Sequence, residues 1–94
     1  MAGVFLALLI AAPSPKEDAR KVLRRSGCQA CHDSTVSTGH TDALEQFDLN
    51  DPKWADGMTD RQLPILLVRM GGRPKADLAI VRRFIDAELR ARHR

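Results

Sequence analysis

Two cysteines and a histidine lie close together in the stretch "GCQACHDS", residues 27–34. Cys28 and Cys31 are the only cysteines of the chain, and His32 directly follows the second one. Two thiols and an imidazole at this spacing could form a redox disulfide, bind a zinc ion or attach a haem covalently. The sequence around the motif has to distinguish these chemistries.

The surrounding sequence fits a disulfide or a zinc ion poorly. A thioredoxin-type cysteine pair lies in a βαβ unit, whereas here a helix is predicted before Cys28 and a loop after His32. Zinc needs about four ligands, and the only other histidines are His40 and His93. His32 also adjoins Cys31, which is an awkward position for a second ligand to the same ion. Both chemistries are therefore disfavoured.

The C-x-x-C-H spacing is the attachment signature of a c-type haem. Two thiols add across the two vinyl groups of the porphyrin, and the two intervening residues span the distance between those groups. The imidazole after the second cysteine then lies beneath the iron as its proximal ligand. We predict that Cys28 and Cys31 hold one haem c through thioether bonds and that His32 is the proximal iron ligand.

Three helices are predicted around the motif, and the first leads directly into it. Residues 14–27 carry Ser14 as an N-cap, Pro15 at the first helical position and Glu17 at the third, which is the pattern of a capping box. Gly27 is expected to adopt the left-handed conformation that ends the helix. The first helix therefore delivers the chain to Cys28 in a fixed direction.

The second predicted helix follows Met58. Thr59 and Gln62 have the spacing of another capping box, and Pro64 is expected to shift the start of the helix to about Leu63. The glycine pair at residues 71–72 ends it.

The third predicted helix covers residues 75–94. Apolar side chains recur there at helical spacing: Leu78, Val81, Phe84, Ile85 and Leu89. Residues 34–57 lack a clear period, and "EQFDLNDPKW" within them allows one turn or a short helix ending before Pro52. No segment predicts a strand. We expect an all-α domain over residues 14–94.

Residues 1–13 are predicted to form an apolar leader. Its apolar run, residues 4–12, is too short to cross a hydrocarbon core of ~30 Å, but it suits a secretory signal. The basic start of such a signal is missing, and "IAA" is a poor cleavage match. We expect a periplasmic or otherwise exported protein, with membrane association only if the leader is retained. The alternative is a buried N-terminal helix or strand.

Charge is distributed unevenly along the chain. Residues 33–60 contain seven acids and one base, a net charge of −6, so the remainder carries +9 against a total of +3. The pattern predicts either two solvated faces or a basic face that docks on a redox partner protein, where charge mainly raises the association rate. No nucleic-acid partner is expected, because the bases fall in two separate helices with no interleaved aromatics.

The motif and its helices together resemble a small class I c-type cytochrome over residues 16–89. The resemblance rests on "GCQACH", the helix before it and the closing helix "ADLAIVRRFIDAEL". It implies an all-α, cytochrome c-like helical domain wrapped around one covalently attached haem, in which the first and last helices cross. It also implies that a small residue of the first helix, Gly27 or Ala19, contacts Phe84 of the last.

The sixth iron ligand is where the chain departs from the family. The family usually places a methionine in a loop before the last helix, but the corresponding link here is only "GGRPK". Met70 is the first candidate and Met58 the runner-up, although each could instead pack in the core. His40 would give a bis-histidine haem. A vacant or water-bound sixth position is the remaining alternative.

Four further residues have two possible roles each. The Trp54 N–H could donate to a haem propionate, or the ring could simply pack in the core. Arg61, Arg69 or Arg73 could pair with a propionate, or each could lie in solvent.

The expected function is electron transfer by one haem, with no bond-changing reaction catalysed by the protein itself. The alternative is a haem c protein with an open or weak sixth site that binds a small ligand, as a sensor or a weak peroxidase. A zinc or thiol protein is a more distant alternative. The domain could be a free carrier or a subunit of an oxidoreductase complex.

Overall fold

Helices form all the regular secondary structure of residues 14–94, which are the residues that the computed structural model describes. The predicted leader, residues 1–13, lies outside them. The α-helices are α1 (Pro15–Leu23), α2 (Gln29–His32), α3 (Thr41–Gln46), α4 (Gln62–Arg69) and α5 (Lys75–Arg92). The prediction of an all-helical domain without strands is confirmed for this part of the chain.

The start of α1 follows the predicted cap. Ser14 is the N-cap, and its Oγ accepts a hydrogen bond from the backbone N–H of Glu17 at 3.1 Å. The second half of a capping box is replaced, because the Glu17 carboxylate accepts from Arg20 Nε at 3.0 Å instead. The cap fixes where the helix begins, and the ion pair joins its first two turns.

The chain remains helical beyond the predicted end of α1. A wide π-type turn, Arg24–Cys28, follows α1, and α2 continues from it through His32. Gly27 has φ 92°, which confirms the predicted left-handed conformation, and the kink at this residue separates the first helix from the short helix that follows. The loop predicted after His32 is present, because α2 ends at His32 and residues 33–40 carry only turns and bends.

Both halves of the second predicted capping box are present at α4. Thr59 N–H donates to Gln62 Oε1 at 2.8 Å, and Gln62 N–H donates to Thr59 Oγ1 at 3.2 Å. Pro64 is tolerated because it lies in the first turn, where backbone N–H groups have no intrahelical partner. The helix begins at Gln62, one residue before the expected position, and ends at Arg69, before the glycine pair.

Helix α5 is the central packing surface of the described residues. Both α1 and α4 pack against it. The buried apolar side chains form one cluster, here called the core: Ala19, Val22, Leu23, Phe47, Leu49, Trp54, Ala55, Met58, Leu63, Leu66, Met70, Val81, Phe84 and Ile85. None of the helices in residues 14–94 is long and apolar enough to span a membrane.

Of the two small residues considered as neighbours of Phe84, Ala19 lies in the core with it and Gly27 is exposed. Ala19 and Phe84 are both fully buried in the core. A Cβ placed on Gly27 would instead meet only the guanidinium of Arg73, at 3.7 Å. Of the two alternatives, the surroundings of Gly27 therefore do not include Phe84, and Ala19 is the one that shares the core with it.

Residues 34–61 are ordered mainly by turns. Helix α3 lies earlier than the short helix expected in "EQFDLNDPKW", because Phe47 takes an extended conformation and ends it. The following turns carry Asp48 and Asp51, whose carboxylates accept backbone N–H groups two residues on, at 3.0 and 2.9 Å. These Asx turns replace helical hydrogen bonds.

Candidate haem-attachment site

The two cysteines lie on one short helical stretch and remain free thiols. Cys28 ends the π-type turn and Cys31 lies in α2, each partly exposed. Cys28 also packs against the core. Burial raises the pKa of the Cys28 thiol, and the positive charge of Arg73 offsets only part of that effect. Both cysteines are thus partly exposed residues, and Cys28 is also partly desolvated.

One nitrogen of the His32 ring is hydrogen-bonded within the described residues, and the other is not. Nδ1 lies 2.9 Å from the carbonyl oxygen of Ala43 and 3.3 Å from that of Phe47. A carbonyl oxygen can only accept, so Nδ1 carries the proton and donates it. Nε2 has no hydrogen-bond partner among the described residues, so in the neutral imidazole it is the nitrogen with the lone pair that a metal ligand requires.

The ring and main chain of His32 are held as well. The ring stacks on Phe47 with a centroid distance of 3.8 Å and an interplanar angle of 6°. The main-chain carbonyl of His32 accepts from the Leu49 N–H at 2.6 Å. Residues 43–49 thus contact His32 in three ways: at the ring nitrogen Nδ1, at the face of the ring and at the main-chain carbonyl.

A network here called the proximal latch connects this region to α1. It comprises Arg24, Asp33 and Leu49. Arg24 Nη2 donates to the Leu49 carbonyl at 3.1 Å and lies 3.1 Å from Asp33 Oδ2. The Asp33 side chain is only 1% exposed. The Leu49 carbonyl also accepts from Arg20 Nη1 at 3.1 Å.

One oxygen of the buried Asp33 carboxylate is hydrogen-bonded locally, whereas Oδ2 has only the ion pair with Arg24. Asp33 Oδ1 accepts from the Thr35 N–H at 2.9 Å and from Thr35 Oγ1 at 2.6 Å. These hydrogen bonds from Thr35, together with the charge of Arg24, hold the pKa of Asp33 below its usual value. The residue after the motif histidine is therefore a fixed anion.

The turn that carries Cys28 is also fastened to the start of α5. Arg73 Nη2 donates to the Ser26 carbonyl at 2.5 Å, and Arg25 Nη2 lies 2.6 Å from Asp77 Oδ1. Of the three arginines considered for a propionate, Arg73 is therefore next to the motif.

The candidate sixth ligands differ in burial. Met70 caps the C-terminus of α4 and is 2% exposed, and Met58 follows a turn and is 5% exposed. Both belong to the core, which also contains the Phe47 ring that stacks on His32. His40 is exposed at the start of α3. The two methionines therefore share one apolar cluster with the motif, and His40 does not.

The loop that carries Met58 is held by what we call the C-terminal clamp. It comprises Arg92, Asp60 and the carbonyls of Ala55 and Met58. Arg92 Nη1 donates to the Met58 carbonyl at 2.6 Å and to Asp60 Oδ1 at 3.0 Å, and Nη2 donates to the Ala55 carbonyl at 3.1 Å. His93 Nε2 lies 2.6 Å from Asp60 Oδ2.

A row of aromatic rings leads from His32 into the core. Phe47 meets Trp54 edge-on at 5.9 Å, and Trp54 meets Phe84 at 5.1 Å. Trp54 is 2% exposed, and its indole N–H has no hydrogen-bond partner in the described part of the chain. A buried N–H without an acceptor costs about 1–3 kcal/mol, so it fits a site whose acceptor comes from a bound group.

A separate basic groove runs along the outer face of α5. It has a volume of about 480 Å³, and its lining includes Lys75, Leu78, Arg82, Arg83 and Arg90. No motif residue is among its lining residues. Lys75 is two residues from Arg73, so one end of the groove lies near the Cys28 turn.

No protein-family model, curated protein or solved structure matches this chain. Within residues 14–94, no group of three or more His, Cys, Asp or Glu side chains is arranged to hold a metal ion.

Proposed function

We propose that this chain is a single-haem c-type cytochrome domain that carries electrons between redox partners in an exported compartment. One observation carries the proposal. His32 donates from Nδ1 to the Ala43 carbonyl at 2.9 Å, which leaves Nε2 available as an iron ligand. The same imidazole directly follows the second of two partly exposed cysteines.

Each residue of the motif has one role in this proposal. Cys28 and Cys31 hold the haem through thioether bonds, and His32 ligates the iron. When bound, the haem supplies a single-electron ferric–ferrous couple. Met70 is the first candidate for the opposite ligand and Met58 the second. The Trp54 N–H donates to a propionate, which satisfies the indole. The basic groove of α5 contributes to docking on an acidic partner.

The thiol alternative has a specific observation against it. Redox-active cysteines have lowered pKa values, because the thiolate is the reactive form. Burial instead raises the pKa of Cys28. The direction of this shift is opposite to the one expected for the attacking thiol of a redox pair.

The direct test is haem content after expression with export in a host that attaches c-type haem. We expect the colour to survive acid–acetone extraction and the pyridine haemochrome spectrum to show one haem per chain. The double substitution of Cys28 and Cys31 by Ser should abolish the covalent haem, whereas a matched pair of surface changes, Ser34→Ala and Thr38→Ala, should not. Colourless wild-type protein would contradict the proposal.

The sixth ligand is tested on the same material. We expect the far-red ferric band that is typical of methionine ligation to disappear in Met70→Ala and to persist in Met58→Ala. The reverse result would assign Met58. A wild-type protein that lacks the band and binds carbon monoxide without denaturant would have an open sixth site, which would favour small-ligand binding over electron transfer.

A further inference from the structure

Two residues that adjoin His32 are joined by a third from α1. Asp33 follows His32 in the chain, and Leu49 donates its N–H to the His32 carbonyl at 2.6 Å. Arg24 connects these neighbours, because one guanidinium nitrogen, Nη2, lies 3.1 Å from both the Leu49 carbonyl oxygen and Asp33 Oδ2. Arg24 thereby joins the two ends of the loop of residues 33–49, which begins and ends beside His32.

The position of this loop determines the hydrogen bond at His32 Nδ1. Its acceptor, the Ala43 carbonyl, lies inside the loop, as does the Phe47 ring that stacks on the imidazole. Ala43 and Phe47 are 11 and 15 residues away from His32 in the chain, so no short covalent connection holds them beside the imidazole. Their distance from His32 therefore depends on how the loop is fastened at Asp33 and Leu49.

We infer that Arg24 is a positioning residue for His32, acting through Asp33 and the Leu49 main chain. The inference rests on the proposed role of His32 as an iron ligand, whose orientation and basicity depend on the Nδ1 hydrogen bond. Arg24 does not touch the imidazole. It fixes the loop that supplies the acceptor carbonyl.

Arg20 offers a matched control on the same helix. It donates to the same Leu49 carbonyl at 3.1 Å, but its ion pair is with Glu17 rather than Asp33. Replacing either arginine by Gln removes one positive charge and one donor to Leu49. Only Arg24→Gln breaks the connection to Asp33.

The test is the solvent-exchange rate of the His32 Nδ1 proton, measured by NMR on histidine-labelled protein well below the unfolding transition. We expect Arg24→Gln to raise the rate about fivefold, the weakening expected for one hydrogen bond. Asp33→Asn should raise it similarly, and the double variant should add little, because both changes break the same connection. Arg20→Gln should leave the rate within about twofold of wild type, and Arg24→Lys should restore part of the protection.

Several outcomes would overturn the inference. They are an unchanged rate in Arg24→Gln, an equal rise in Arg20→Gln, and an equal rise in Arg92→Gln, which loosens a distant loop. Haem content is measured by pyridine haemochrome in the same samples. Absent haem would contradict the proposed function, while the exchange rates would still decide the role of Arg24, because the Nδ1 hydrogen bond exists in the protein without haem.

Discussion

The proximal latch and the C-terminal clamp use an arginine in different ways. In the latch, the Leu49 carbonyl oxygen accepts hydrogen bonds from two donors, Arg24 and Arg20. In the clamp, the Ala55 carbonyl accepts from Arg92 and from the Met58 N–H at 3.1 Å, whereas the Met58 carbonyl accepts from Arg92 alone among the described residues. The Met58 carbonyl therefore depends on Arg92, whereas the Leu49 carbonyl keeps one donor when the other is lost.

The carboxylates of the two networks differ in burial. The Asp33 side chain of the latch is 1% exposed, and that of Asp60 in the clamp is 44% exposed. Water can replace a lost partner of Asp60 but not readily one of Asp33. The carboxylate is thus the critical member of the latch, and the arginine is the critical member of the clamp.

The largest effect is expected from Arg92→Ala. It removes two hydrogen bonds from a charged donor to carbonyls, so we expect the free energy of unfolding in urea to fall by about 3 kcal/mol. Arg90→Ala is the control and should change it by less than about 0.5 kcal/mol, because Arg90 Nε reaches only the Asp86 carbonyl of its own helix, at 3.3 Å. A loss below about 1 kcal/mol in Arg92→Ala would show that the clamp is redundant.

Asp33→Ala is expected to have the next largest effect. The change removes the acceptor of both Thr35 hydrogen bonds and leaves Arg24 without its partner. We expect the free energy of unfolding to fall by about 2 kcal/mol, less than for a fully buried pair because Arg24 is about one-third exposed. Asp51→Ala, at an exposed Asx turn, is the control; equal losses would mean that burial of Asp33 has no energetic consequence.

The latch also makes a prediction about acid. The folded pKa of Asp33 lies below its usual value, so its stabilisation is complete above that value and is lost as the pH falls through the folded pKa. Asp33→Asn should cost about 1 kcal/mol at pH 7 and progressively less as the pH is lowered from about 5 through the folded pKa. The difference between wild type and variant is measured by denaturation across this range. A difference that is independent of pH would contradict the charged role of Asp33.

The sequence predicted the local features of this fold well. The caps at Ser14 and Thr59 and the left-handed Gly27 were predictable because each depends on residues within a few positions. Asp33 and Thr35 form an Asx-type turn of the same local kind, and the "DST" stretch could have indicated it.

Long-range partners of the motif could not be predicted in this way. His32 donates to Ala43, and Arg24 donates to Leu49, 25 residues away. The acceptors are backbone carbonyls, which every residue has, so no side-chain pattern marks them. Burial likewise does not separate Met58 from Met70, because a buried methionine serves equally as core or as ligand. The motif could therefore be identified in the sequence, whereas the backbone contacts that surround it could not.

Asp60→Asn is expected to have the smallest effect and gives the sharpest comparison with Asp33. Asp60 contacts Arg92 and His93, but its side chain is 44% exposed and Arg92 keeps both carbonyls without it. We expect a loss of about 0.5 kcal/mol at low salt, falling toward zero near 1 M salt because exposed charges are screened. The loss in Asp33→Asn should persist at the same salt concentration, since the buried carboxylate is shielded from counterions. If both losses decreased equally with salt, burial would not be what separates the latch from the clamp.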